Sequence, residues 1–435
     1  MKERMKRAWL IGFLSCGLST TVEARTLADS GLVVAKIVVI GNEITKDHVI
    51  LREMSLKVGG PLTATSIEFD QKRVYSLQLF NSVEIDYTAE GDQTTVFVRV
   101  SERWYIFPIP ILGFKYRDTK KFFYGLGVIH QNFRGRNEKI LGSFALGFDR
   151  WISLAYQNPK LTADDDIFIG GRVSYSHVQN QNVSQGLYNQ RVFGANTTLG
   201  KRFGLYTTVL GVLGYDHWDI SDPQEGRTAS HAGIDEFLSL GLRYTLDTRD
   251  VREYPTAGYV TLFSATKLGF GDSEVDLFRY RVDLRGYQPL GNDVALCGRM
   301  FGSFLSGGVV PAYLHAYFGY DERLRGYFNT VFEGEDIVGS SLELRVPILK
   351  PRYLRVSTPL LPPEFSLWRY GLYAGFFADA GKVWYRTESF NQMPWRSGYG
   401  AGLHFLLPYS IVVRTEYALN NLGRWDFVLD LEASF

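Results

Sequence analysis

The stretch Phe237–Asp247, FLSLGLRYTLD, alternates with period two. Leu238, Leu240, Leu242, Tyr244 and Leu246 fall on one face. Ser239, Gly241, Arg243, Thr245 and Asp247 fall on the other. Successive side chains of a β-strand point to opposite faces of the sheet, so this is a strand with one apolar and one polar side. A tilted strand crossing a bilayer needs about 9–11 residues, which this stretch supplies.

The pattern repeats outward in both directions. In Phe278–Tyr287, Phe278, Tyr280, Val282 and Leu284 oppose Arg279, Arg281, Asp283 and Arg285. In Ile411–Asn420, Ile411, Val413, Tyr417 and Leu419 oppose Arg414, Glu416 and Asn420. The final stretch, Phe427–Phe435, sets Phe427, Leu429, Leu431, Ala433 and Phe435 against Asp430, Glu432 and Ser434. Sixteen such segments can be drawn between Tyr105 and Phe435. A soluble β-sandwich also alternates. Against it stand an N-terminal export signal, the number of strands without a second helical layer, and a chain that stops on Phe435 inside its last strand with no polar tail. The 26 Tyr, 30 Phe and 8 Trp suit the aromatic girdles of a membrane barrel. The expected fold class is an all-β transmembrane barrel of about 16 antiparallel strands, residues 105–435, preceded by a small α+β module.

The N-terminus reads as an address. MKERMKR is a positive n-region, Ala8–Leu18 a short apolar run, and Val22-Glu23-Ala24 a signal-peptidase site, so residues 1–24 are expected to be removed. A lipobox ending at Cys16 is the rival reading, with a very brief apolar stretch before it. No stretch approaches the 18 apolar residues of a membrane helix. Lys+Arg is 47 and Asp+Glu 46, a net charge of +1, without the basic excess of a nucleic-acid-binding protein. Two cysteines, Cys16 and Cys297, exclude a disulfide framework or a cysteine-rich zinc site. The seven His are scattered, and Gly-x-Ser-x-Gly, His-Glu-x-x-His and phosphate-loop motifs are missing. The expectation is therefore no enzyme, no cofactor and no metal. A barrel protease or phospholipase, whose site converges only in three dimensions, is the enzymatic alternative.

Residues Val34–Glu102 form the module. Val34–Ile40 is a β-branched run closed by Gly41-Asn42. Thr45 can cap a helix through about Met54, and Thr65 or Ser66 a second to about Leu77, with Ile67, Val74 and Leu77 on one stripe. Val83–Tyr87 and Thr94–Val100 read as strands joined at Gly91-Asp92. The order is β-α-α-β-β.

A module of this order followed by such a barrel resembles the outer-membrane assembly-factor superfamily, whose members join POTRA modules to a sixteen-stranded barrel; BamA, TamA and the two-partner-secretion translocators belong to it. Leu324-Arg325-Gly326-Tyr327 looks like the family's Arg-Gly-Tyr/Phe loop signature. Ser341-Leu342-Glu343 and Phe377-Ala378-Asp379-Ala380-Gly381 resemble the two strand motifs that follow it. Asp247-Thr248-Arg249-Asp250 with Pro255-Thr256-Ala257-Gly258 resembles the family's turn between two middle strands. Arg285-Gly286-Tyr287 is a decoy: it lies within a period-two strand, where a lumen-facing Arg is the simpler reading. The resemblance implies an outer-membrane barrel with its POTRA module in the periplasm. It also implies that the loop carrying Arg325, the sixth on the outer side, folds back into the barrel.

The residues then suggest a clamp. Alternation turns Glu343, with Arg345, and Asp379 toward the lumen on adjacent strands. A guanidinium is a planar fork that can pair bidentately with a carboxylate. Arg325 is expected to meet both carboxylates, with Gly326 permitting close approach, Tyr327 packing beside it, and Gly381 closing the strand motif. A seam is suggested too. Pro108 and Pro110 in the first barrel strand lack N–H groups and strip donors from one edge, which would face the last strand, Phe427–Phe435. The competing reading assigns both prolines to a linker and starts the strand near Ile111. Two functions follow from the resemblance: an assembly factor inserting client β-barrels through a laterally opening seam, or a translocator passing a secreted polypeptide through the lumen. A passive pore is a third. The implied partners are unfolded outer-membrane or secreted polypeptides, membrane lipids, and accessory periplasmic or lipoprotein partners. Assembly factors of the family usually carry several POTRA modules, and this chain has room for one.

Overall fold

The computed structural model describes residues 32–90, 93–115, 118–162, 166–182, 184–271, 273–320, 322–356 and 362–433. The expected signal segment, the Gly91-Asp92 turn and Phe435 lie outside the described residues.

The N-terminal module builds β1 (Val33–Ile40), α1 (Asp47–Leu51), α2 (Ala64–Tyr75), β2 (Phe80–Glu90) and β3 (Gln93–Glu102). Its sheet runs β1-β3-β2, with β1 parallel and β2 antiparallel to β3. Val96, Val98 and Val100 turn inward and pack with Val34, Val49, Ile50, Val74 and Phe80. Both caps differ from the sequence expectation. Helix α1 starts after Lys46 without a side-chain cap. Thr45 is spent elsewhere: its N–H donates to Glu102 at 2.7 Å, and its hydroxyl lies 3.0 Å from the Tyr105 hydroxyl. Helix α2 is capped by Thr63, two residues earlier than expected, in a reciprocal box with Ser66.

Among the described residues that follow, sixteen strands form one antiparallel sheet. These are β4 (Ile106–Phe114), β5 (Phe122–Phe133), β6 (Glu138–Gly147), β7 (Arg150–Asn158), β8 (Ile167–Gln179), β9 (Asn189–Phe203), β10 (Thr207–Ile220), β11 (Ile234–Asp247), β12 (Gly258–Leu268), β13 (Leu277–Gly291) and β14 (Val294–Gly307), then β17 (Asp336–Arg355), β18 (Leu367–Trp384), β19 (Arg396–Leu407), β20 (Ile411–Asn420) and β21 (Trp425–Ala433). Between β14 and β17 a long loop carries its own two-strand pair, β15 (Ala316–Phe318) with β16 (Phe332–Gly334). Leu238, Leu240 and Leu242, and likewise Phe427, Leu429 and Leu431, are exposed on the outer wall, as the alternation requires. The decoy Arg285 sits inside β13 and pairs with Asp283 two residues away on the same face.

Each strand pairs with its neighbour in order, so β4 and β21 are the two ends of the sheet. Among the described residues no ladder joins them. The strand β4 includes both prolines, contrary to the linker alternative, and pairs continuously with β5: Pro108 lies opposite Val128 and Pro110 opposite Leu126. A proline cannot occupy a hydrogen-bonded antiparallel site. Its missing N–H therefore points away from β5, toward the free edge.

The module is seated on the turns at its own end of the barrel. The Lys46 N–H donates to the Gly135 carbonyl at 2.9 Å in the β5–β6 turn. Arg202, at the end of β9, grips Glu53 with both Nη atoms, and Arg73 donates to Glu53 and to the Leu205 carbonyl at 2.8 and 2.9 Å. Ser76 reaches the Asp250 carbonyl at 3.3 Å in the β11–β12 turn, and Asn81 the Glu364 carbonyl at 2.6 Å beyond β17. Burial alone would raise the Glu53 carboxyl. The hydrogen bond and charge of Arg202, with the charges of Arg73 and Arg52, outweigh it and hold the group down at about 2.

Candidate functional site

The β14–β17 loop enters the barrel and lies against the inner wall from β17 to β21. Its own pair β15–β16 stiffens the entry. Phe318, Leu324 and Tyr327 pack with Phe301 and Ile337 of the wall. The turn at its tip needs Gly326, whose φ of +91° L side chains rarely adopt. Gly398 on β19 is the floor: a Cβ there would stand 1.9 Å from the Arg325 carbonyl oxygen.

Arg325 is held by all of its donors. Nε and Nη2 fork onto Asp379 at 2.8 and 2.7 Å. Nη2 also donates to the Ser341 hydroxyl at 2.8 Å. Nη1 donates to Glu343 at 2.6 Å and to Glu416 at 3.1 Å. A guanidinium has five N–H donors, and five acceptors are in place. Its carbon lies 3.8 Å from the Phe377 ring centroid, over the face, where a cation is attracted by the ring quadrupole. Glu343, Asp379 and Glu416 are all buried, so the guanidinium compensates carboxylates that water cannot reach.

The expected residues thus meet. Arg325, Gly326, Tyr327, Glu343 and Asp379 form one constellation, and Gly381 contributes space: the Phe318 ring lies where a side chain at 381 would project. Sequence reading missed the reach of the loop onto the last two strands. Glu416 on β20 is the third carboxylate. Asn420 donates to the Gly326 carbonyl at 2.8 Å, and the Tyr327 hydroxyl donates to Asn421. On β21, Asp430 receives Arg323 at 3.0 Å and Asp426 receives the Phe328 N–H at 2.7 Å. At the other side of the lumen Glu322 takes Arg299 of β14 bidentately at 2.8 and 2.9 Å. Alternation had placed Glu416 and Asp430 on the polar face, but nothing local set them apart from other lumen charges.

Among the described residues, Glu343, His404 and Glu416 carry donor atoms within 4.8 Å of one another, close enough for a metal ion. Here both carboxylates are engaged by arginines: Arg325 binds each, and Arg345 donates to Glu343 at 2.7 Å. Beside the clamp the lumen leaves a cavity of about 440 Å³, bordered by Arg285, Arg299, Arg323, Arg345 and Arg414. The seam residues Pro108, Pro110 and Phe427 lie on the two terminal strands, apart from the clamp but joined to it through Asp426 and Asp430 of β21.

Comparison with known proteins agrees with this architecture. Residues 132–424 match the Omp85 superfamily domain, and residues 32–103 match the surface antigen variable number repeat of POTRA type. A curated relative from Nitratidesulfovibrio vulgaris, outer membrane protein assembly factor BamA, is 24% identical over 305 residues, 67% of this chain and 37% of its own. A BamA from Neorickettsia risticii is 24% identical over 409 residues, 87% of this chain and 51% of its own. The chain therefore spans about half or less of the curated relatives it matches. Among solved structures, BamA from Haemophilus ducreyi lacking POTRA domains 1–3 has a TM-score of 0.55 at 19% identity, covering 92% of this chain and 83% of that one. CdiB from Escherichia coli gives 0.56 at 12%, covering 92% and 75%. CdiB from Acinetobacter baumannii gives 0.51 at 15%, covering 92% and 73%. These likenesses concern the fold. With two thirds of its residues inside the family's defining domain, this chain belongs to the Omp85 superfamily, a barrel of the outer membrane with a POTRA module on its periplasmic side.

Proposed function

We propose that this protein is an outer-membrane assembly factor that inserts client β-barrel polypeptides through its β4–β21 seam, with no chemical step of its own. The observation that carries the reading is the seam: the terminal strands share no ladder among the described residues, and Pro108 and Pro110 remove two donors from the edge of β4. A strand edge with unpaired groups can accept an incoming strand by β-augmentation, and so can the edge of the POTRA sheet. Names of the curated relatives support assembly of outer-membrane proteins. Unfolded clients and surrounding lipid are the partners this requires; accessory periplasmic or lipoprotein partners belong to the same proposal.

Translocation of a secreted polypeptide through the lumen is the second reading, suggested by the CdiB folds. It asks more of the molecule. The sixth loop must leave the lumen and the POTRA module must leave the periplasmic turns, because a cavity of about 440 Å³ is of small-molecule size. The test is a set of cysteine pairs across the seam, between residues 111–115 and 427–431, in a Cys297→Ser background. Oxidised crosslinks should abolish client insertion, and reduction should restore it. A crosslinked barrel that stays fully active rules out lateral insertion and favours the lumen route.

A further inference from the structure

Two hydrogen-bonded routes lead from the β11–β12 turn to the loop clamp. In the first, the Tyr254 hydroxyl lies 2.7 Å from His404 Nδ1, His404 Nε2 lies 3.2 Å from Glu416, and Glu416 accepts from Arg325 at 3.1 Å. In the second, the Pro255 carbonyl accepts from Arg345 at 3.1 Å, Arg345 donates to Glu343 at 2.7 Å, and Glu343 accepts from Arg325 at 2.6 Å. Tyr254, His404, Glu416, Arg345 and Glu343 are all buried. The His404 ring is seated directly on Gly375, where a Cβ would come within 2.5 Å of it. The same turn also faces outward to the module. Its Asp250 carbonyl accepts from Ser76 at 3.3 Å, and its Glu253 lies 3.5 Å from the Tyr75 hydroxyl and pairs with Arg369, which in turn sits over the Tyr75 ring at 5.2 Å.

One short turn is therefore gripped by helix α2 on one side and buttresses the clamp on the other. We propose that Tyr254 and His404 are positioning residues that transmit the seating of the POTRA module on the β11–β12 turn to the seating of Arg325 in the lumen. The physical basis is that displacement of the turn withdraws the Tyr254 hydroxyl from a fully buried imidazole, whose other nitrogen orients Glu416. A buried polar group that loses its partner is costly, so the turn and the clamp prefer to be seated together. The inference rests on reading Arg325 as the working clamp.

The test times how readily the loop comes out. Full-length protein in detergent is digested with trypsin, and cleavage after Arg325 is followed by mass spectrometry, with resistance of the folded barrel to SDS as the control. Ser76→Trp, which wedges α2 off the turn, and Tyr254→Phe, which removes one hydroxyl, should each speed that cleavage about fivefold or more, the low end of ordinary coupling between sites. In the double variant the two factors should fall well short of multiplying, because both break the same chain. Independent, multiplying effects overturn the proposal, and so does a Ser76→Trp protein cleaved at the parental rate. Gly375→Ala, which pushes on the His404 ring without changing its chemistry, should reproduce the Tyr254→Phe rate; if it does not, His404 is not part of the route. The digest reads loop seating and not client insertion. If the clamp reading itself is wrong, Arg325→Ala retains activity while this coupling is still measured.

Discussion

Glu53→Gln tests whether the POTRA module is held on the barrel by charge. Glu53, just beyond α1, is buried between Arg73 of α2 and Arg202 of the barrel. Its carboxyl is held at about 2, against an ordinary 4.5. At 1.36 kcal/mol per decade that difference is worth about 3 kcal/mol. Arg73 and Arg52 move with the module, so only the contribution of Arg202, the largest of the three, is lost on undocking. About 3 kcal/mol is therefore a ceiling on the effect, and the ratio of docked to undocked protein should fall at least severalfold. The sign with pH follows from a depressed carboxylate: its contribution is complete above 4.5 and is lost as pH falls toward 2. Spin labels at Glu68→Cys on α2 and Asn292→Cys on the β13–β14 turn, in a Cys297→Ser background, read the distance between module and barrel. The parent should give one narrow distribution at pH 7 that broadens between pH 4.5 and pH 2. Glu53→Gln should be broad already at pH 7 and change less on acidification. A distribution for Glu53→Gln as narrow as the parent's at pH 7 refutes the reasoning.

Arg325→Ala should leave a folded barrel at normal abundance that inserts clients poorly, because three buried carboxylates lose their common cation, and breaking one buried pair costs about 3–5 kcal/mol; full insertion activity in cells depleted of the native protein counts against the clamp. Arg325→Lys should recover little, since an ammonium has three donors where five acceptors wait. Gly398→Ala should mimic Arg325→Ala to within about twofold in the same assay, through backbone collision alone, because its Cβ would meet the Arg325 carbonyl oxygen at 1.9 Å. Thr63→Ala should cost about 1 kcal/mol locally and speed hydrogen exchange of the first-turn amides of α2 about fivefold, without reaching the barrel.

Much of this molecule is legible because its information is periodic. A strand with one face in lipid must alternate, so Leu238, Leu240 and Leu242 declare their direction without knowledge of any neighbour. The clamp was legible in two parts: Glu343 and Asp379 have fixed faces on adjacent strands, while the entry of the Arg325 loop into the lumen came from the resemblance of its Arg-Gly-Tyr motif to the family's. What escaped was pairing between remote charges. Glu53 and Arg202 are 149 residues apart, and nothing near either announces the other. Glu416 and Asp430 sat on the right face, but facing is weaker information than contact. Thr63 escaped for a local reason: Thr63, Thr65 and Ser66 can all accept a helix N–H, and only the backbone geometry before the first turn selects among them.

The join between module and barrel has a mechanical consequence. Strand β3 ends at Glu102 and β4 begins at Ile106, so three residues separate the module's sheet from the first barrel strand. Even fully extended, that connection reaches only about 14 Å. It is also pinned: the Arg103 N–H donates to the Leu79 carbonyl at 3.1 Å, and the Tyr105 carbonyl accepts from Gln131 of β5 at 2.9 Å. A linker with so little slack acts as a crank. Rotation of the module off the periplasmic turns applies torque to β4, the strand whose outer edge carries the prolines. The chain's geometry thus couples the module to the β4 edge, and under the proposed insertion a pull on the module's sheet would be felt at the seam.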